Sequence, residues 1–481
     1  MNLLNFTTLF PDKAKRLAFL LFVCLASLNS WGQDITGDWN GVLKVQGIQL
    51  RLVFHIQKTA SGYEATMDSP DQNAKGIPMT SASYENVVLK IAAVNMGFEY
   101  EGSLGADGNI TGTFRQMGQS FPLNLSKETV EKEKPARPQE PVKPYPYHEE
   151  EVFFENREDG ITLAGTLTLP QKDGVFPAVV LISGSGTQNR DEEAMEHKPF
   201  LVIADYLTRN GIAVLRFDDR GTAASTGNFE TATSYDFSKD AEAGVKYLQT
   251  RKEINRKKIG LAGHSEGGII APMVAARNKD IAFIVLLAGS GVRGDQVLLM
   301  QQDLVIQAYG VGEEHRKQAR AINTAIFNIV LQSTDNERLK TDLADYLRQA
   351  IKDIPDTEKF KEIYDNNFIA ATVSRLTSLW MQYFIRYDPA PALEKVTCPV
   401  LALNGEKDMQ VPAKANLEAI KVALAKGGNR QVTTKELPGL NHLFQECKTG
   451  WPTEYATIEQ TFSPVALNEM LTWIKAQIEQ D

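Results

Sequence analysis

Residues 259–271 run Ile259-Gly260-Leu261-Ala262, then Gly263-His264-Ser265-Glu266-Gly267-Gly268, then Ile269-Ile270-Ala271. A short apolar strand passes directly into a glycine–serine turn and from there into a helix. G-x-S-x-G in that setting describes a sharp corner with the serine at its tip. Such a corner strains the serine backbone and admits only small residues two positions away on each side, which accounts for Gly263 and Gly267. The following helix points its free amides and positive dipole end at the serine oxygen and helps to hold negative charge there.

The surroundings agree with a strand–helix–strand chain. Apolar strand-like runs recur at Ile161–Leu169, Ala178–Ile182, Ile212–Phe217, Lys258–Ala262, Ile281–Ala288, Val400–Asn404 and Val432–Leu437. Amphipathic stretches such as Lys198–Asn210, Ser238–Thr250 and Gly267–Arg277 lie between them. Near-continuous apolar strands separated by helices predict a mainly parallel sheet covered on both faces. From about Gly294 to Tyr387 the spacing is helical throughout, which predicts a cap over the C-terminal ends of the strands, where open α/β sheets place ligands. Within the cap Leu376, Leu379, Trp380, Tyr383, Phe384 and Tyr387 form one stripe. It either packs against the cap's own helices, the simpler expectation, or lines an acyl or aryl pocket.

A serine hydroxyl needs a base to take its proton and an acid to orient that base. After Val400–Asn404 comes Gly405-Glu406-Lys407-Asp408-Met409-Gln410-Val411-Pro412, and after the strand ending at Leu437 comes Pro438-Gly439-Leu440-Asn441-His442. Ser265, Asp408 and His442 thus fall at three strand ends, in the chain order expected of a hydrolase of this architecture. Glu406 is the competing acid, and Asp408 is preferred because it lies deeper in its loop. Among six histidines, His55 and His148 lie outside this region, His315 is in a charged helical stretch and His264 is in the corner itself. His197 is the remaining rival; Asp191, Glu192, Glu193 and Glu196 beside it could hold a metal but read more simply as a solvated loop. An oxyanion requires preorganised donors. The expected ones are the backbone N–H of Glu266 and that of Ser185 in Ser183-Gly184-Ser185-Gly186, with Gly186 next.

At these residues, from about Glu149 to Asp481, the chain resembles the α/β-hydrolase superfamily, and within it bacterial carboxylesterases close to the serine aminopeptidase and prolyl-oligopeptidase-like branches. The resemblance is carried by Ser183–Gly186 with Asn189-Arg190-Asp191, by Phe217-Asp218-Asp219-Arg220-Gly221, by Gly263–Gly268 and by the Asp408 and His442 loops. Many relatives have histidine where this chain has Ser183. The resemblance implies that Arg220 shapes the loop beneath the site rather than taking part in chemistry.

Upstream the period changes to two. Segments such as Leu50–Ile56 and Val87–Ile91 alternate and are punctuated by Ser61-Gly62, Asp107-Gly108-Asn109 and Gly118, which predicts an antiparallel meander, curled or barrel-like, over 33–127. His55 lies in one of these strands with no second ligand at metal spacing. Five prolines between Glu131 and Tyr147 predict an extended spacer, so 128–148 reads as a linker and 149–481 as the hydrolase domain. Lys13, Lys15 and Arg16 ahead of the apolar run Leu17–Leu28 read as a signal peptide over residues 1–32, too short to span a bilayer, leaving Gln33 first. Cys24 lacks the small residue ahead of it that a lipoprotein cut would want. Cys398 and Cys447 remain and read as two separate buried thiols.

With 51 Lys+Arg against 60 Asp+Glu the net charge is −9, unsuited to binding a phosphate backbone, so nucleic acid is not an expected partner. The expectation is an exported hydrolase, periplasmic or extracellular, that cleaves small carboxylic esters through Ser265, His442 and Asp408. It needs no cofactor and no metal and has no stable membrane insertion after leader removal; self-association is left open. The alternatives are a serine peptidase of the aminopeptidase type and a non-catalytic envelope-binding protein on a hydrolase scaffold.

Overall fold

The computed structural model describes residues 34–45, 48–72, 74–93, 97–116, 119–131, 136–352 and 366–479. The leader segment, Cys24, Gly118, Pro135 and part of the cap lie outside the described residues. The chain divides into two compact units, one up to residue 134 and one from 135 onward.

The first unit is a single antiparallel sheet. Its strands are β1 (Gly37–Val45), β2 (Ile48–Thr59), β3 (Gly62–Ser69), β4 (Ala74–Pro78), β5 (Ser81–Glu85), β6 (Val88–Ala93), β7 (Phe98–Leu104), β8 (Ile110–Gln116) and β9 (Gln119–Pro122). In β7 buried and exposed residues alternate at every position, so Phe98, Tyr100 and Leu104 point inward. They pack with Trp39, Phe54, Leu89, Ile91 and Ile110; burying side chains of this size contributes about 1.5–3 kcal/mol each. Asn40 of β1 pairs antiparallel with Ser126, just past β9, which curls the sheet almost into a barrel. His55 is not an isolated ring: its nitrogens lie 2.7 Å from Asp38 and 3.3 Å from Asp68.

The second unit holds a mixed sheet in the order β10 (His148–Asn156), β11 (Ile161–Leu169), β13 (Ala213–Phe217), β12 (Phe176–Ile182), β14 (Ile254–His264), β15 (Ile284–Leu287), β16 (Val400–Gly405), β17 (Val432–Leu437). From β13 to β17 neighbouring strands run parallel, whereas β10 and β11 add an antiparallel edge. The sheet is therefore mixed. Alternate strand residues serve opposite faces: Val180, Leu215 and Leu261 lie in one apolar cluster, Val179, Val214 and Ala262 in the other. Helices α1 (Pro199–Arg209) and α11 (Pro464–Ile478) cover the second face; α2 (Ser234–Thr250), α3 (Gly267–Arg277) and α10 (Ala413–Lys426) cover the first. Helix α2 starts four residues earlier than its apolar spacing suggests, because Thr233 and Asp236 form a capping box there.

Between β15 and β16 come α4 (Gly294–Ala308), α5 (Glu313–Gln332), α6 (Asn336–Lys352), α7 (Asn366–Leu376), α8 (Leu379–Arg386) and α9 (Ala390–Leu393). Leu299, Phe327, Val330, Leu343, Val373 and Ile385 give the cap a core of its own. Leu376 of the predicted stripe joins that core, Leu379 is exposed, and Trp380 stacks on Phe384 and reaches toward the serine corner. No helix among the described residues is long and apolar enough to cross a membrane.

The region predicted as an extended spacer is tied down at two residues. Arg137 donates to the carbonyls of Met195, Glu196, Ala456 and Ile458, and Gln139 binds the backbone of Thr461 and Phe462. Cys398 and Cys447 are free and half-buried, not fully buried. Burial pushes the Cys398 thiol up to about 11.

Candidate active site

Strand β14 ends at His264 and α3 begins at Gly267, so Ser265 occupies the corner between them. Its φ of 53° lies in the left-handed region that side chains normally avoid. The amide of Ser265 is anchored on the carbonyl of Leu287 in β15, at 2.8 Å. A Cβ on Gly263 would come within 1.9 Å of the Gly267 carbonyl oxygen, and one on Gly267 within 2.1 Å of that of Ile182. Both glycines are required by these close approaches.

The next strand ends bring in the acid and the imidazole. Asp408 follows β16 and is buried; its Oδ1 accepts from the amides of Gln410 and Val411 at 2.8 Å each. Its Oδ2 lies 2.8 Å from Nδ1 of His442, which follows β17. Because a carboxylate only accepts, Nδ1 donates and Nε2 is left facing away from the acid. Glu406 is engaged elsewhere, accepting from the amide of Gly439. Ser265 and His442 line one cavity of about 330 Å³ together with Gly184, Ser185, Met409 and Leu443. The cap contributes Gln301 and Val305 of α4 to that cavity, whereas the aromatic stripe is not among its described walls.

The loop after β12 is built around two carboxylates. Asp219 accepts from the Ser183 hydroxyl at 2.7 Å and from the Gln188 amide at 2.9 Å, which gives the serine at this position a structural task. Burial raises the Asp219 pKa to about 8 against the pull of these two hydrogen bonds. Gly184 donates its amide to Glu192 at 2.6 Å, while Ser185 stands beside it on the cavity wall. The Glu266 side chain turns away from that cavity: it is buried, accepts from the Ser234 hydroxyl at 2.5 Å and from the Trp380 indole at 2.8 Å, and burial raises its pKa. Arg220 pairs with Asp240 and Asp159 beneath the loop.

The loop from Asp191 to His197 is solvated only in part: Glu193 and Glu196 are exposed, whereas Glu192 and His197 are buried. His197 is fully buried between Thr461 and the Tyr455 carbonyl, and burial lowers its pKa to about 4. Asp191 pairs with Arg216, and Glu192 is buried against His264. Glu192, expected in a solvated loop, and the side chains of His264 and Glu266 take parts that the linear pattern does not show. The signal was available only in part, as carboxylates in a loop between apolar elements. Among the described residues no group of three His, Cys, Asp or Glu side chains is arranged to hold a metal.

The sequence pattern of the X-Pro dipeptidyl-peptidase (S15) family matches residues 159–425. Esterase EstD of Thermotoga maritima is 28% identical over 282 residues, covering 58% of this chain and 58% of that protein. An uncharacterized protein of Pseudomonas aeruginosa is 31% identical over 137 residues, covering 28% of this chain and 35% of its own length. The chain thus spans about 58% of the first relative and about a third of the second. Among solved structures, the α/β-hydrolase GrgF from Penicillium sp. sh18 is 17% identical and covers 69% of this chain and 99% of that one, with a TM-score of 0.42.

Proposed function

The chain belongs to the X-Pro dipeptidyl-peptidase (S15) family within the α/β-hydrolases and is an enzyme, and from that premise we propose that it is a serine esterase acting on small, uncharged carboxylic esters. The observation that carries this reading is the Asp408–His442 hydrogen bond, with His442 and Ser265 lining one cavity. In the proposed cycle Nε2 of His442 takes the Ser265 proton as Oγ attacks the ester carbonyl. Asp408 holds the ring in the tautomer that leaves Nε2 free to accept, and stabilises the imidazolium that forms. The backbone amides of Glu266 and Ser185 bind the oxyanion; each such donor is worth roughly 3–4 kcal/mol. The imidazolium then protonates the departing alcohol, and water, activated by the same histidine, releases the acid.

Among the described residues lining the cavity Glu192 is the one acidic side chain, and its Oε1 already serves Gly184 and His264. Among the described residues the wall offers neither a free carboxylate for a peptide's ammonium group nor a lysine or arginine for a charged acyl chain. A serine peptidase of the aminopeptidase type is the second reading, favoured by the description of the family. A panel of neutral acyl esters against aminoacyl and X-Pro amides separates the two: the proposal expects ester turnover to dominate, and amide turnover in excess would reverse it. Ser265→Ala is expected to abolish turnover and fluorophosphonate labelling without changing the thermal melt. Retained activity would point to another nucleophile, and failure of wild-type Ser265 to label would favour a binding protein on a hydrolase scaffold.

Residues 1–32 are read as an export leader, which would place the enzyme in the periplasm or outside the cell. N-terminal sequencing of the exported protein, expected to begin at Gln33, checks this.

A further inference from the structure

We propose that Glu192 and His264 form a second acid–imidazole pair that positions the reacting loops without taking part in bond making. The inference rests on Ser265 being the nucleophile. Oε1 of Glu192 accepts the Gly184 amide at 2.6 Å and lies 2.9 Å from Nδ1 of His264. The other ring nitrogen, Nε2, lies 3.0 Å from the carbonyl oxygen of His442. A carbonyl can only accept, so Nε2 carries a proton, and a carboxylate facing Nδ1 draws a second one there. The ring then bridges as a double donor.

Three segments are tied together by this unit: the loop that bears Gly184 and Ser185, the corner that bears Ser265, and the backbone of His442 itself. The cavity needs these to agree closely, since a displacement of about 1 Å in a reacting group costs roughly 100-fold in rate. Glu192 has a φ of 50°, a conformation that a non-glycine residue keeps only when its surroundings enforce it. Gly184 fits for the same reason, because a Cβ there would lie 3.1 Å from Glu192 Oε1 and 3.2 Å from the Ser265 Cβ. Burial opposes a charged His264, but Glu192 and the His442 carbonyl outweigh it and raise its pKa; the other ionisable groups facing the ring are His442, at 4.9 Å between ring centres, and Asp408.

The test is steady-state hydrolysis of a short-chain p-nitrophenyl ester by the full chain carrying Glu192→Ala or Glu192→Gln, with thermal melts and fluorophosphonate labelling rates. Glu192→Ala is expected to lower kcat by roughly 100-fold with KM within about threefold, and to slow labelling in parallel. Glutamine retains an acceptor for the Gly184 amide but not the charge facing Nδ1 of His264, and is expected to recover about tenfold of that loss, leaving kcat several-fold below the parent. A kcat for Glu192→Ala within threefold of the parent, a loss confined to KM, or no recovery with glutamine would overturn the proposal. If the alanine variant does not fold, the glutamine variant decides: a parent-like melt with kcat lowered several-fold supports the brace, and unchanged kcat refutes it. Ser265→Ala run alongside separates the two ideas. Its activity, if retained, sinks the nucleophile assignment, whereas a silent Ser265→Ala beside an unaffected Glu192→Ala sinks the brace alone.

Discussion

Nδ1 of His442 donates to Oδ2 of Asp408 across 2.8 Å, joining the loops that follow two neighbouring parallel strands. The carboxylate is fixed from the other side by the amides of Gln410 and Val411, so it can neither rotate away nor be replaced by the nearby Glu406.

Replacing this acid should therefore disable the imidazole rather than the binding of substrate. Asp408→Asn is expected to lower kcat by roughly 10⁴-fold with little change in KM, because the amide favours the wrong tautomer. Glu406→Gln should remain within about threefold of the parent. Initial rates on one neutral ester compare the two variants directly.

The serine corner predicts a contrast between glycines. Gly263→Ala brings a Cβ to 1.9 Å from a backbone oxygen that cannot retreat, and should destabilise the fold by about 3 kcal/mol or more, read by denaturant titration. Gly184→Ala meets its neighbours only at 3.1 and 3.2 Å and should melt nearly as the parent does while losing roughly tenfold in kcat.

Asp219 gives a pH signature. Its pKa is raised from 3.8 to about 8 in the folded chain, so between these values the folded state binds the extra proton. Stability from this group is complete below about pH 4 and is lost as pH rises toward about 8. Asp219→Asn keeps an acceptor and a donor for Gln188 and Ser183 and cannot ionise. Its melting temperature should exceed the parent's by a margin that grows from pH 5 to pH 8; an equal margin at both ends would argue against a protonated Asp219.

Arg137 makes its non-local contacts to four backbone carbonyls, those of Met195, Glu196, Ala456 and Ile458. Met195 and Tyr455, beside these carbonyls, line the cavity. Arg137→Ala is expected to destabilise the second unit by about 2 kcal/mol, given the usual worth of hydrogen bonds from a charged donor, and to raise KM more than it lowers kcat. Thermal melts and an ester chain-length series measure both effects.

Strand β17 alternates exposed Thr433 and Lys435 with half-buried residues and buries only Leu437, whereas the strands from β11 to β16 were legible as apolar runs, with ends shifted by a few residues, because both faces of the sheet are buried along those runs. The edge strand β10 was not. Its sequence, His148 to Asn156, alternates glutamates with Val152 and Phe154 and directly follows a proline-rich stretch, so charge concealed its one buried face. The antiparallel edge it forms with β11 likewise leaves no mark in either strand's composition.

Sequence alone determined the serine corner, because glycines two positions either side of Ser265 are a local steric necessity, and it marked Asp408 and His442 as residues at neighbouring strand ends. It also fixed the alternation that curls the first unit. Only the tertiary structure decided that Asp408 rather than Glu406 holds the imidazole, that Trp380 reaches Glu266 instead of lining the pocket, and that Glu192 is buried against His264. Those outcomes depend on where loops distant in the chain meet and on which carboxylates lose their water there. A linear pattern encodes the propensity of each segment, but not the company it keeps once the sheet has assembled.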